Sequence, residues 1–388
     1  MVGQPDWPVG PLPLRYRDTA TTTINRSTYF NPACARILYG EHDRPSRWYQ
    51  HTSTAIRGGV VFGVEILTPN HGSPHGLAIL HLQVEADRLL ETARAVAGRR
   101  NTVPLRDDIA AMLPPWASLE AHARIFTVSF MTTASDNLEP PPGAAPVPSW
   151  STIEKWLWHL ASRTTREDFP PDPDHAEVLL SGLVVLSADW RCLVTRDGAA
   201  FVGTRRDIGA DDPFLGFAQV YTHSAYLDAL VIGMVQQTSI TGMVEDASRA
   251  FDSKDLSRTL SRLEERAARF RSVYWLRDVG THGLANDILA AYQTQHRLPE
   301  KFEAVLNEIA DLNRIFQTQE SQRVNAALGI ITVIGLPFGT ALAVLQVLGT
   351  DSPRGLLLGM LAAFASSGML LLTGFGRLLL RTLRRLGR

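Results

Sequence analysis

Three histidines, His71, His75 and His81, stand close together around the turn-rich stretch TPNHGSPH. Histidines with carboxylates can hold zinc, but neither Cys34 nor Cys192 lies nearby. A solvated loop suits this group better, with His81 on the polar face of a strand. No G-x-x-x-x-G-K-[ST], H-E-x-x-H or G-x-S-x-G run occurs, so neither a phosphate loop, nor a metalloprotease helix, nor a hydrolase elbow is indicated. The chain therefore reads as a non-enzyme with no cofactor. Asp255, Glu264 and Glu265 read as the solvated face of a charged helix, Arg205 and Arg206 as surface charge, and Trp156 and Trp158 as core or interface.

A longer pattern carries more. Asp311, Thr318, Asn325, Thr332, Gly339 and Gln346 follow one another at intervals of seven. Such a row drifts only ~20° per heptad on a straight helix, so one face stays polar or small over its whole length. Polar residues inside a membrane face a bundle interior or a wet cavity, which several copies around an axis would enclose. Small residues also let helices pack closely, and Gly335-x-x-x-Gly339 and Gly355-x-x-x-Gly359 have that form. Both readings, pore lining and helix packing, fit the row.

The elements that would position this row follow from composition and periodicity. Lysine and arginine number 38 against 39 acids, so no net charge draws the chain to nucleic acid. The N-terminus, MVGQPDWPVGPLPLRYRD, shows no signal peptide. Residues 1–215 read as an α/β cytosolic domain. Strands are expected over 59–67, 77–84 and 123–132, and a meander over 178–204 that turns at Asp197-Gly198. Ser151-Thr-Ile-Glu154 reads as a capping box. Residues 216–323 form a helical stalk region in which 224–236 is a buried helix. Phe302, Val305, Ile309, Leu312 and Phe316 form a coiled-coil-like seam. One helix over 299–348 would be ~75 Å long at 1.5 Å per residue.

Val324–Leu348 and Gly355–Gly376 carry no charge, and each exceeds the ~18–20 residues a membrane span needs. The expectation is transmembrane helix 1 over 324–348, an outer loop over 349–354, transmembrane helix 2 over 355–376 and a basic tail over 377–388. Arg377, Arg381, Arg384, Arg385 and Arg388 place both termini in the cytosol of an inner-membrane protein.

This order resembles the CorA-like superfamily of two-span metal-ion transporters. Phe270-Arg-Ser-Val-Tyr-Trp-Leu-Arg-Asp-Val279 looks like that family's helix before the stalk, Glu308-Ile-Ala-Asp-Leu312 like its stalk, and Ile330-Ile-Thr-Val-Ile-Gly-Leu-Pro-Phe338 like its pre-filter stretch, with Pro337 at the family's proline. The likeness covers about residues 215–385. Through Pro337 it implies pore-facing positions at Gln322, Asn325, Leu328, Thr332, Leu336, Gly339 and Ala343. The row extends these to Gln346, and Leu328 and Leu336 would be the constrictions. The family's Gly-Met-Asn outer-mouth motif is absent; Gln346-Val347-Leu348 stands in its place, and Asp351 is the acid of the outer loop. The resemblance thus implies a homopentamer in the lipid bilayer that passes ions, with a divalent cation as substrate or regulator and a cytosolic ligand or partner gating through the stalk. Without the filter motif, the alternative is a gated effector or signalling protein of a stress or defence system.

Overall fold

The computed structural model describes residues 6–14, 26, 28–69, 75–99, 102–120, 125–144, 147–209, 212–250, 253, 256–276, 278–281, 283–348, 354–355, 357–359, 361–362 and 365. They fall into two compact units, one of residues 1–246 and 265–305, the other of 247–264 and 306–388.

Unit 1 opens with helix α1 (Pro32–Tyr39), whose N-cap Asn31 accepts from the Cys34 amide. Two short strands, β1 (Gly40–Glu41) and β2 (Arg44–Pro45), form a clasp that leads into β3 (Arg47–Ile56), β4 (Gly59–Leu67) and β5 (Leu77–Val84). These three make an antiparallel meander in the order β3-β4-β5. The run GVVFGVEIL is apolar on both faces but for Glu65, and from Gly63 to Leu67 it is buried throughout. Helices α2 (Leu89–Val96) and α3 (Arg106–Ala111) follow and share a small core of Ala95, Leu105 and Ile109.

A second sheet holds β6 (Thr127–Thr133), β7 (Leu183–Ser187), β8 (Trp190–Val194) and β9 (Gly198–Arg206) in the order β6-β9-β8-β7. The Asp197-Gly198 turn makes the β8–β9 hairpin, and β6 joins β9 in parallel. The connection from β6 carries α4 (Thr152–Ser162). Its capping box is complete: Ser151 accepts from the Glu154 amide, and Glu154 accepts from the Ser151 amide. Leu157, Trp158, Leu160 and Ala161 of α4 share a core with Leu193, Ala200 and Val202. Trp158 therefore lies in the core, with Trp156 partly buried beside it.

After the short helix α5 (Ala176–Leu179) and the second sheet, α6 (Pro213–Tyr221) starts at N-cap Asp212, which accepts from the Phe214 and Leu215 amides. One wide π-turn (Thr222–Tyr226) joins it to α7 (Leu227–Ala250). Helix α8 (Leu256–Arg269) ends in another π-turn (Phe270–Tyr274), where the sequence likeness suggests continued helix to Val279. Trp275 leaves the helical region, and the Tyr274 and Leu276 carbonyls are instead held by the Gln236 side chain. Helix α9 (Gly283–Gln295) precedes α10 (Leu298–Leu348), a helix of 51 residues. In unit 2, the Asn313 side-chain amide of α10 donates to Glu264, an exposed residue of α8. Buried Leu260 and Leu263 on α8 and Ile309 and Leu312 on α10 supply the core of this unit.

The two-span architecture is overturned. Among the described residues no helix is long and apolar enough to cross a membrane, and this removes the membrane-protein reading and the inner-membrane location with it. The apolar side chains of Ile330, Val333, Ile334, Leu336, Phe338, Val344 and Leu345, on which the expected first span rests, lie outside those described. Residues 349–353 of the expected outer loop, with Asp351, lie outside the described residues, as do the basic tail and most of 355–376.

Candidate functional site

The chemistry-bearing cluster of the fold lies in unit 1, away from the predicted stripe. On the meander, register places Arg47 opposite Leu67, Glu65 opposite Tyr49 and Ile79, and His81 opposite Gly63. Alternation of side chains along strands then puts Arg47, Glu65 and His81 on one face. Asp228 comes to this face from the first turn of α7, and Arg26 from the chain before α1.

All five are buried, Arg47, Glu65 and Asp228 completely. Glu65 Oε2 accepts from Arg47 Nε at 2.5 Å and from the Leu12 amide at 3.1 Å. Its Oε1 faces His81 Nε2 at 2.6 Å. Asp228 Oδ1 accepts from Arg47 Nη1 at 2.7 Å and Arg26 Nη2 at 2.9 Å; Oδ2 accepts from Arg26 Nε at 2.8 Å and the Tyr39 hydroxyl at 2.7 Å. Gly63 makes room for this. A Cβ there would meet Leu12 Cδ2 at 2.3 Å, so glycine lets Leu12 lie over the strand with its amide on Glu65.

Two guanidinium groups face two carboxylates, so the cluster is electrically balanced. Burial opposes ionisation of Glu65, but Arg47, Arg26 and His81 outweigh it and hold the carboxyl well below its ordinary range. Burial likewise opposes the charge on Asp228, and Arg26 and Arg47 overcome it. Burial and then the Asp228 charge push the Tyr39 hydroxyl up, so it stays a donor. Arg47 Nη2 is buried with no partner among the described residues.

Beyond His81 the cluster continues to His223 in the π-turn, with the two Nδ1 atoms 3.3 Å apart and the Phe62 ring beside both. His81 was expected on a polar strand face next to a histidine loop. It is 2% exposed and bonded to Glu65, because a carboxylate already held by arginine draws the ring inward. His75 is exposed, and His71 lies outside the described residues. Among the described residues no group of three or more His, Cys, Asp or Glu could hold a metal ion. The arrangement holds two carboxylates and two guanidinium groups in mutual hydrogen bonds away from solvent.

The stripe itself is found on α10. Gln322, Asn325, Thr332, Gly339, Ala343 and Gln346 are exposed there, as are Asp311 and Thr318 at its head. Thr318 and Thr332 turn their hydroxyls back to the carbonyls of Arg314 and Leu328, at 2.7 and 2.8 Å, so these two donors are spent within the helix. Leu336 and Leu348 lie on the same helix by sequence. Next to the polar row run Val324 (52% exposed), Leu328 (55%), Ile331 (66%) and Leu342 (55%). Their spacings of four, three and eleven, with Gly335 between, fit one heptad seam. Seen down the axis, this seam is turned ~100° from the buried pair Ile309 and Leu312, at 100° per residue.

The sequence missed Arg26, Arg47, Tyr39, Glu65 and His223 as site residues. One signal was available: Glu65 is the single acid in an otherwise apolar strand, and Asp228 the single acid in SAYLDALVIGMV. Each needed a buried cation. No protein family, curated protein or solved structure matches this chain.

Proposed function

We propose that the chain works as a homo-oligomeric signalling or effector protein rather than an enzyme. Copies assemble through α10, with unit 1 as the regulated body. The observation that carries this reading is the exposed Val324–Leu328–Ile331–Leu342 seam on a helix of 51 residues. Single exposed apolar residues are ordinary, whereas a row in heptad register is the form a helical partner covers. The partner is a second copy of this chain. Parallel identical helices set like residues side by side, where like charges would repel, and Val324–Leu348 carries no charge at all. The flanking Asn325, Thr332, Gly339 and Gln346 are small or neutral and admit close approach.

Light scattering of the full chain after size exclusion tests this. The proposal expects a whole multiple of 42.7 kDa, reduced to one copy by Ile331→Asp without loss of secondary structure. A single-copy mass for the wild type at micromolar concentration would overturn it.

A further inference from the structure

We propose that His81 and His223 form a proton-sensitive latch that fastens β5 to the π-turn ahead of α7 and releases it in acid. The geometry starts at Glu65. An ionised carboxylate only accepts, so His81 must present Nε2–H to Oε1 at 2.6 Å. His81 Nδ1 then faces His223 Nδ1 at 3.3 Å, and this short approach has room for one hydrogen. With both rings neutral, His223 Nδ1–H donates to His81 Nδ1, and the chain His223–His81–Glu65 is complete.

A further proton has no counterion. The groups facing the pair are Glu65 from β4, Arg47 from β3, Arg26 from the chain before α1, Tyr39 from α1 and Asp228 from α7, and both carboxylates are already matched by the two arginines. Burial above all, with the Arg26 charge adding to it, pushes the His223 ring down to about 3. Released from the latch, the ring returns to the ordinary histidine value near 6.5. The open form thus binds one more proton than the closed form between these two values. Closure is fully favoured above about pH 6.5 and weakens as pH falls, by up to ~10-fold per unit. Opening parts β5 from the π-turn, while Asp228 at the start of α7 keeps its bonds to Arg47 and Arg26.

Hydrogen exchange of the full chain, corrected for the intrinsic pH dependence of exchange, reads the latch locally. Peptides covering 77–84 and 213–226 should show an opening equilibrium ~100-fold larger at pH 4.5 than at pH 7. In His223→Gln the side-chain amide still donates to His81 Nδ1 but does not titrate, so the rise should vanish. His223→Phe, which keeps the ring volume, serves the same comparison should the glutamine variant not fold. A wild-type change below about threefold, or a non-titrating variant that rises like the wild type, would overturn the latch.

Discussion

Asp228→Asn isolates the energetics of the buried cluster. Asp228 accepts four hydrogen bonds, three from two guanidinium groups and one from Tyr39, at 2.7 to 2.9 Å and with no exposure. Asparagine keeps the shape but removes the charge and sets an amide NH2 against donors. Two cations then face Glu65 alone, leaving a net buried positive charge. Removing one partner of a buried ion pair costs about 3–5 kcal/mol, a large share of the ~5–15 kcal/mol that holds a folded domain. Urea unfolding should show a lower midpoint at an unchanged m value. Adding Arg47→Met removes one cation and restores the balance, so the double variant should recover at least ~1 kcal/mol relative to the sum of the singles. A loss below ~1 kcal/mol for Asp228→Asn, or strict additivity in the double variant, would refute the view that the four charges act as one unit.

Other consequences follow from single contacts. Gly63→Ala drives a methyl into Leu12 and loosens its amide from Glu65; a loss of ~1–3 kcal/mol is expected in thermal unfolding, while a neutral result would show that Leu12 is not held there. Ser151→Ala removes one half of the capping box of α4 and should cost ~1 kcal/mol, measurable as a lower urea midpoint. Glu65 and Asp228 both have carboxyls held low, so their contribution is present above the unfolded carboxylate range near pH 4 and is lost as pH falls through it toward the folded values. Acid unfolding should therefore move to higher pH in Arg47→Met; an unmoved transition would contradict the assignment of Arg47 as their counterion.

What was legible in the sequence divides along physical lines. Strands 59–67 and 77–84 coincide with β4 and β5, because apolar runs bounded by turns leave little choice of boundary. The helix over 299–348 appears as Leu298–Leu348, since nothing before Gly329 breaks its periodicity. The cluster was hidden because its members come from positions 26, 47, 65, 81 and 228. Only strand register and the placement of α7 bring them together, and no local spacing encodes that. The membrane expectation rests on the absence of charge over 324–348 and 355–376, whereas no helix among the described residues is long and apolar enough to cross a membrane.

The mass of the full chain in solution, measured by light scattering for the wild type and for Ile331→Asp, bears most directly on assembly through α10. Ile331 is 66% exposed, so the aspartate costs the single chain little and acts only where a second helix would cover it. The account predicts an oligomer of whole copies for the wild type and one copy for the variant, with equal helix content. Equal masses for the two would contradict it.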